Sequence, residues 1–153
     1  MHFLIFLLAC AAAAVTGTIF EPGEWYQSLQ KPGFTPPNWL FPVAWGTIYL
    51  LIAYAGARLA KRPGSQTALA LWAAQISLNT LWTPVFFGAN LIGAGFAIIL
   101  ILWAVVAALM VISFRLDRLT GALFVPYLIW LTLAAALNGS IWMTNPATPL
   151  PAG

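Results

Sequence analysis

Charge is what this sequence lacks most. Only 6% of its 153 residues are Asp, Glu, Lys or Arg, against roughly 25% in a soluble domain. With 62% hydrophobic residues, the chain cannot cover a globular surface with polar groups, so lipid must be its solvent. The nine charged side chains are Glu21, Glu24, Lys31, Arg58, Lys61, Arg62, Arg115, Asp117 and Arg118. They fall at the ends of apolar stretches or between them. Proton- and ion-coupled pumps usually need a carboxylate or histidine inside the membrane, and none is there. A net charge of +3, small and scattered, gives no footing for nucleic acid. The single cysteine, Cys10, excludes an intrachain disulfide and reads as a small apolar residue facing a neighbouring helix. The single histidine, His2, stands at the N-terminus. These shortages leave no cluster for a metal and no Ser–His or Cys–His pairing in the bilayer. Ordinary acid–base catalysis has almost no equipment, and no cofactor is required.

What the sequence does have is long apolar runs. A helix crossing ~30 Å of hydrocarbon needs about 20 apolar residues. Five stretches approach or reach that length: Phe3–Phe20, Trp39–Leu59, Thr67–Phe87, Leu91–Phe114 and Leu119–Met143. Lipid offers the backbone no hydrogen-bond partners, so these stretches must be helices. The expected fold is an all-α membrane protein, integral and multi-pass. It is a five-helix transmembrane bundle forming one domain over 1–153, with a long capping loop between helices one and two. Leu7-Leu8-Ala9-Cys10 looks like a lipoprotein box, but a basic n-region is missing, so Phe3–Phe20 reads as a retained helix.

The connection Glu21–Asn38 holds Pro22, Pro32, Pro36 and Pro37 together with Trp25, Tyr26 and Phe34. A flexible spacer would be rich in Gly and Ser; this loop is stiff and aromatic and is expected to fold over the bundle mouth as a lid. The other connections are short, which predicts antiparallel neighbours. The tail Asn145–Gly153, with three prolines and no charge, is expected to fray. Arg58, Lys61, Arg62, Arg115 and Arg118 fall on one membrane face and Lys31 alone on the other. The positive-inside rule puts the former face in the cytoplasm if the host is an inner membrane. Pro42, Pro84 and Pro126 fall inside helices two, three and five, where kinks would open space. Ala70, Ala73, Ala74 and Ser77 make a small-residue stripe on helix three, a candidate homodimer face.

The polar residues inside the apolar runs are neutral. Gln75 and Asn79 are four apart and share a helix face; Thr80, Thr83 and Asn138 are the others of note. Trp45 and Tyr49 are one turn apart on helix two, and Tyr127 and Trp130 three apart on helix five. Facing each other, the two pairs would form a slot for a planar hydrophobic ligand, with indole N–H groups as donors. Trp39, Trp72 and Trp142, near segment ends, fit interfacial anchoring. A haem would want an axial ligand; His2 is outside the bundle and nothing pairs with Met110 or Met143. Stacking would hold a tetrapyrrole here better than ligation would.

Five stretches then add up. They are Trp25-Tyr26, Lys31-Pro32-x-Phe34-x-Pro36-Pro37-x-Trp39, Pro42-x-x-Trp45-x-x-x-Tyr49, Gln75-x-x-x-Asn79-x-x-Trp82-x-Pro84-x-Phe86-Phe87-Gly88, and Pro126-Tyr127-Leu128-x-Trp130 followed by Leu137-Asn138. In this order they resemble the TspO/MBR family of tryptophan-rich sensory and translocator proteins, from about Gly17 to Asn138. The resemblance implies a dimeric five-helix bundle. It also implies that porphyrins such as protoporphyrin IX, and isoquinoline- or benzodiazepine-type drugs, bind in a cavity under the first loop. By motif position, Trp45 and Trp130 resemble the pocket tryptophans, Trp25 belongs to the lid, and Asn79 and Trp82 to the wall on helix three. Tyr49, Phe86 and Tyr127 complete the expected ligand-binding set, and Ala134 looks like the small residue on helix five that tunes binding. Two departures stand out. Gly33-Phe34 occupies a stretch where the family often has a tryptophan, and Gly139–Met143 lacks the tyrosine and basic residue of the proposed cholesterol motif. The resemblance points first to a tetrapyrrole-binding sensory protein. The alternatives are a light-dependent porphyrin-degrading enzyme working through Trp25 or Trp130, and a passive porphyrin or lipid transporter.

Overall fold

Helix follows helix with little between them. The computed structural model describes residues 2–19 and 24–145. Phe20, the start of the loop at Glu21–Gly23 and the tail from 146 onward lie outside the described residues. The elements are α1 (His2–Ile19), α2 (Glu24–Ser28), α3 (Leu40–Ala60), α4 (Gln66–Thr83), α5 (Ile92–Leu116), α6 (Arg118–Leu123) and α7 (Val125–Thr144), with a π-helical turn at Pro84–Gly88 continuing α4. No strand occurs among the described residues. The fold is an all-helical membrane bundle.

Among the described residues, four units are long and apolar enough to cross a membrane: α1, α3, α5 and the α6–α7 pair. The expected third span, α4, falls outside that group because Gln75, Asn79, Thr80 and Thr83 dilute it. Those residues do not make α4 a surface helix, since Gln75 and Asn79 are buried. Apolar side chains such as Ile19, Ile129 and Met143 point outward instead, as expected where lipid is the solvent.

The helices close into a ring. α1 packs on α3 and α4, α4 on α5, α5 on α7, and α3 returns to α6 and α7. Antiparallel neighbours therefore appear as expected for α4 with α5 and for α5 with α7. They do not for α3 and α4, which touch only slightly although residues 61–65 join them. The reason is α1, which packs against both. Cys10 and Ala13 are its buried residues, so the cysteine is the small inward-facing residue anticipated. Gly56 leaves room for the Phe6 ring, which a Cβ there would meet. Phe6 in turn meets Trp72 edge-on at 4.7 Å. Trp72 donates its indole N–H to the Ile52 carbonyl at 2.9 Å and is 4% exposed. It is thus a core residue, not the interfacial anchor its position near a segment end suggested; Trp39 and Trp142 are exposed as anticipated.

The prolines act at helix ends. Pro42 lies in the first turn of α3 and Pro126 in that of α7, where no intrahelical N–H is required. Pro126 thereby marks the break between α6 and α7. Only Pro84 reshapes a span, opening the π turn closed by Ala89 N–H to the Pro84 carbonyl at 2.8 Å.

The two ends of the bundle differ in chemistry. At one, Asp117 binds Arg58 at 2.6 Å and Arg62 at 3.3 Å, tying α3 to the α5–α6 junction. The Thr120 hydroxyl and the Arg58 guanidinium, both bonded to the carboxylate, hold the Asp117 pKa down to about 2. At the other end stands the aromatic lid with Lys31.

Candidate functional site

The site begins at mid-bundle with three helices presenting polar aromatic faces to one another. α3 supplies Trp45 and Tyr49, α4 supplies Gln75 and Asn79, and α7 supplies Tyr127 and Trp130. The 3.6-residue period puts each pair on one face. Trp45 is the corner piece. Its ring lies 5.6 Å from Tyr49, 6.1 Å from Tyr127 and 6.4 Å from Trp130. The two pairs do face each other. They meet edge to face, at 75° and 86°, so the expected slot for a planar ligand is closed to a corner in this arrangement.

A hydrogen-bond chain backs this corner. Tyr49 donates to Asn79 Oδ1 at 3.4 Å, Asn79 Nδ2 donates to the Tyr127 hydroxyl at 2.9 Å, and Tyr127 donates to Gln75 Oε1 at 2.7 Å. Tyr127 and Gln75 are fully buried. The chain ends on Gln75 Nε2, which is buried and has no partner among the described residues. Buried polar groups are normally satisfied, so each link here resists removal.

A second aromatic cluster sits between this corner and the lid. Trp82 stacks on Phe86 at 4.9 Å and 20°. The Trp82 indole donates to Asn138 Oδ1 at 3.1 Å, and Asn138 Nδ2 donates to the Ile92 carbonyl at 3.1 Å. The π turn carries Phe86 and Phe87 toward the lid. There Trp25 meets Phe86 at 5.7 Å and Tyr26 meets Phe87 at 5.4 Å. Gly95 on α5 makes the tight fit possible: a Cβ would stand 3.1 Å from Phe86 and 3.4 Å from Trp82. Tyr26 and Leu29 are buried in this cluster with Phe86, Leu137 and Ile141. The loop therefore does fold back over the bundle mouth. Lys31 secures it, donating to the Tyr26 carbonyl at 2.9 Å while lying 4.6 Å over the Tyr26 ring.

Of the residues anticipated from the sequence, Trp45, Tyr49, Asn79, Tyr127 and Trp130 come together directly. Trp82, Phe86 and Trp25 form the neighbouring cluster, so Trp25 touches neither Trp45 nor Trp130. Phe41 links the two groups, packing against the lid cluster and meeting Trp130 at 5.5 Å. Ala134 is partly buried against the main core, one turn beyond Trp130. Asn138, a polar helix residue and part of the motif stretches, stands outside the expected ligand-binding set; its spacing of four from Ala134 and eight from Trp130 places it on their face. Gly95 and Phe41 carried no comparable signal.

The indoles divide by hydrogen bonding. Those of Trp72, Trp82 and Trp103 each donate to a protein oxygen. Among the described residues, those of Trp25, Trp39, Trp45, Trp130 and Trp142 donate to none; Trp39 and Trp142 are exposed, Trp25 is half-buried in the lid, and Trp45 and Trp130 are half-buried at mid-bundle. At the corner, two adjacent indole donors are thus left for something else.

Comparison with known proteins agrees with the geometry. The TspO/MBR family matches residues 5–143. The chain is 51% identical over 136 residues to the tryptophan-rich sensory protein of Cereibacter sphaeroides, covering 89% of this chain and 86% of that one. It is 48% identical over 148 residues to protein CrtK of Rhodobacter capsulatus, covering 94% and 92%. It is 34% identical over 148 residues to the human translocator protein, covering 92% and 88%. With four helices among the described residues apolar enough to span a bilayer and this match over nearly its full length, the chain is a multi-pass integral membrane protein that belongs to the TspO/MBR family.

Proposed function

We propose that this protein binds a planar tetrapyrrole of the protoporphyrin IX type inside the bundle, beneath the lid, in a sensory or regulatory role. The observation that carries the reading is the pair of uncommitted indole N–H groups of Trp45 and Trp130, backed by Asn79 and Tyr127. A macrocycle would stack on these rings, and its carbonyl or carboxylate groups would accept from the indoles. Because the rings meet edge to face, entry requires Trp45 or Trp130 to turn aside. Isoquinoline- and benzodiazepine-type molecules are flat and carry carbonyls, so they would compete for the same donors. Trp82, Phe86 and Ala134 would set the size of the chamber, and Trp25 would close it from above. The test is titration with protoporphyrin IX in detergent in the dark, following tryptophan quenching. Saturable quenching whose half-saturation rises about tenfold in Trp45→Ala and in Trp130→Ala is expected; unchanged titrations in both would rule the site out.

Light-dependent porphyrin breakdown is a second reading, favoured by the contiguity of Trp45 with Trp130 and two tyrosines. Such a run of oxidisable rings would pass an electron to a light-excited porphyrin. Bleaching no faster than that of free porphyrin in the same detergent would remove it. A homodimer is proposed as well, through the exposed Ala70, Ala73 and Ser77 on α4; small residues let helix backbones approach closely. A wild-type monomer by light scattering in detergent would count against it.

A further inference from the structure

Midway along the lid, one side chain makes most of the attachment to α7. Asn145 follows the last residue of α7, with a backbone that has left the helix. Its carboxamide grips Gln30 on both sides: Oδ1 accepts from the Gln30 N–H at 3.2 Å, and Nδ2 donates to the Gln30 carbonyl at 3.0 Å. The second hydrogen of Nδ2 goes to the Ile141 carbonyl at 2.9 Å, in the last turn of α7. One amide group thus joins the end of a membrane helix to the chain that covers the aromatic corner. Thr144 adds a longer contact to the same Gln30 carbonyl at 3.3 Å.

Both bonds to Gln30 are exposed. They border a cavity of about 280 Å³ lined by Gln30, Lys31, Pro32, Ser140, Met143 and Thr144. Water entering there can take over each bond, so each holds the lid only by the modest net strength of a hydrogen bond that water can replace. The rest of the lid's hold is different in kind: Tyr26 and Leu29 are buried. The attachment therefore has a strong apolar root and a weak polar clasp.

We infer that Asn145 is the clasp of a gate: its release frees the Gln30 stretch of the lid and sets how fast a ligand enters and leaves. The clasp acts on rates, because the residues that touch the ligand in the function proposed above are elsewhere. The gating of a ligand rests on that proposal; the clasp itself does not.

Hydrogen–deuterium exchange of the whole protein in detergent tests it. Asn145→Ala should raise exchange of the amides in 24–31 by about tenfold, the factor that one lost hydrogen bond of typical net strength gives, with α5 unchanged. Ser28→Ala, which alters the lid away from the clasp, should leave both unchanged. Unchanged exchange in Asn145→Ala, or a rise spread equally over α5, would overturn the clasp. In the same variant, protoporphyrin IX chased from its complex should dissociate about tenfold faster with similar final occupancy. Unaltered dissociation would overturn the gate. If protoporphyrin IX fails to bind the wild-type chain while 24–31 still loosens in Asn145→Ala, the clasp stands and the ligand assignment falls.

Discussion

The lid-side cluster and the mid-bundle corner use the same residue types to opposite ends. In the cluster, Trp82 and Phe86 stack in parallel, the indole is hydrogen-bonded, and Asn138 passes the bond on to backbone. In the corner, Trp45 and Trp130 stand at right angles with their indoles uncommitted. The polar groups of the corner lie behind the rings, in the chain from Tyr49 to Gln75. A satisfied indole ties Trp82 to α7, and edge-to-face contacts of Phe86 and Phe87 hold the lid. Unsatisfied donors on half-buried rings provide a surface for a guest. Tryptophan count alone would not separate these roles; the fate of each N–H, taken with the ring's place in the bundle, does.

Four changes probe that contrast. Phe86→Ala, at the centre of the lid-side cluster, should cost the most stability, roughly 3–5 kcal/mol, because it empties a filled position beneath the lid. Thermal unfolding in detergent would register it as a clearly lowered midpoint. Tyr127→Phe should follow at about 1–3 kcal/mol, since it removes one hydroxyl yet leaves Asn79 Nδ2 and Gln75 Oε1 buried without partners. If its midpoint equals wild type, the chain behind the corner is not holding α4 to α7. Trp45→Ala and Trp130→Ala should barely move the midpoint but weaken protoporphyrin IX by about tenfold, or about 1.4 kcal/mol. A loss of stability matching that of Phe86→Ala would erase the contrast.

The smallest effect belongs to the charged end, which serves neither cluster. The carboxyl of Asp117 is held at about 2, below its ordinary 3.8. A depressed carboxyl pKa stabilises the fold fully above the unfolded value and loses that contribution as pH falls through the folded one. Wild type should therefore lose stability between about pH 4 and pH 2, and Asp117→Asn should flatten that part of the profile. A profile of identical shape in the variant would place the acid sensitivity elsewhere.

The membrane class, the helices and the lid were legible because they follow from composition and period. Lipid permits only helices to span singly, and apolar length reads directly. Most of the corner was legible too: Trp45 with Tyr49, and Tyr127 with Trp130, are spaced to share faces. What could not be read was how faces of different helices meet. Trp72 has the end-of-segment position of an interfacial anchor, yet Gly56 and Phe6, far away in sequence, enclose it. The insertion of α1 between α3 and α4 depends on the same contacts, so loop length misled. Pro84 was visible as an irregularity, but its form, one widened turn carrying Phe86 to the lid, depends on Gly95 across the helix interface.

That widened turn works as a phase shifter. In an unbroken α-helix each residue advances by about 100°, and inserting one residue as a π turn rotates everything beyond it by that amount. Upstream of Pro84, α4 aims its inner seam at Tyr127. Within the turn, Phe86 stands over Trp82 while Phe86 and Phe87 meet Trp25 and Tyr26, so one span addresses two audiences. The length of residues 84–88 is therefore as much a part of the design as their identity. Deletion of Val85 would keep every aromatic in the chain, take Phe86 out of its four-residue spacing from Trp82 and turn it away from the lid.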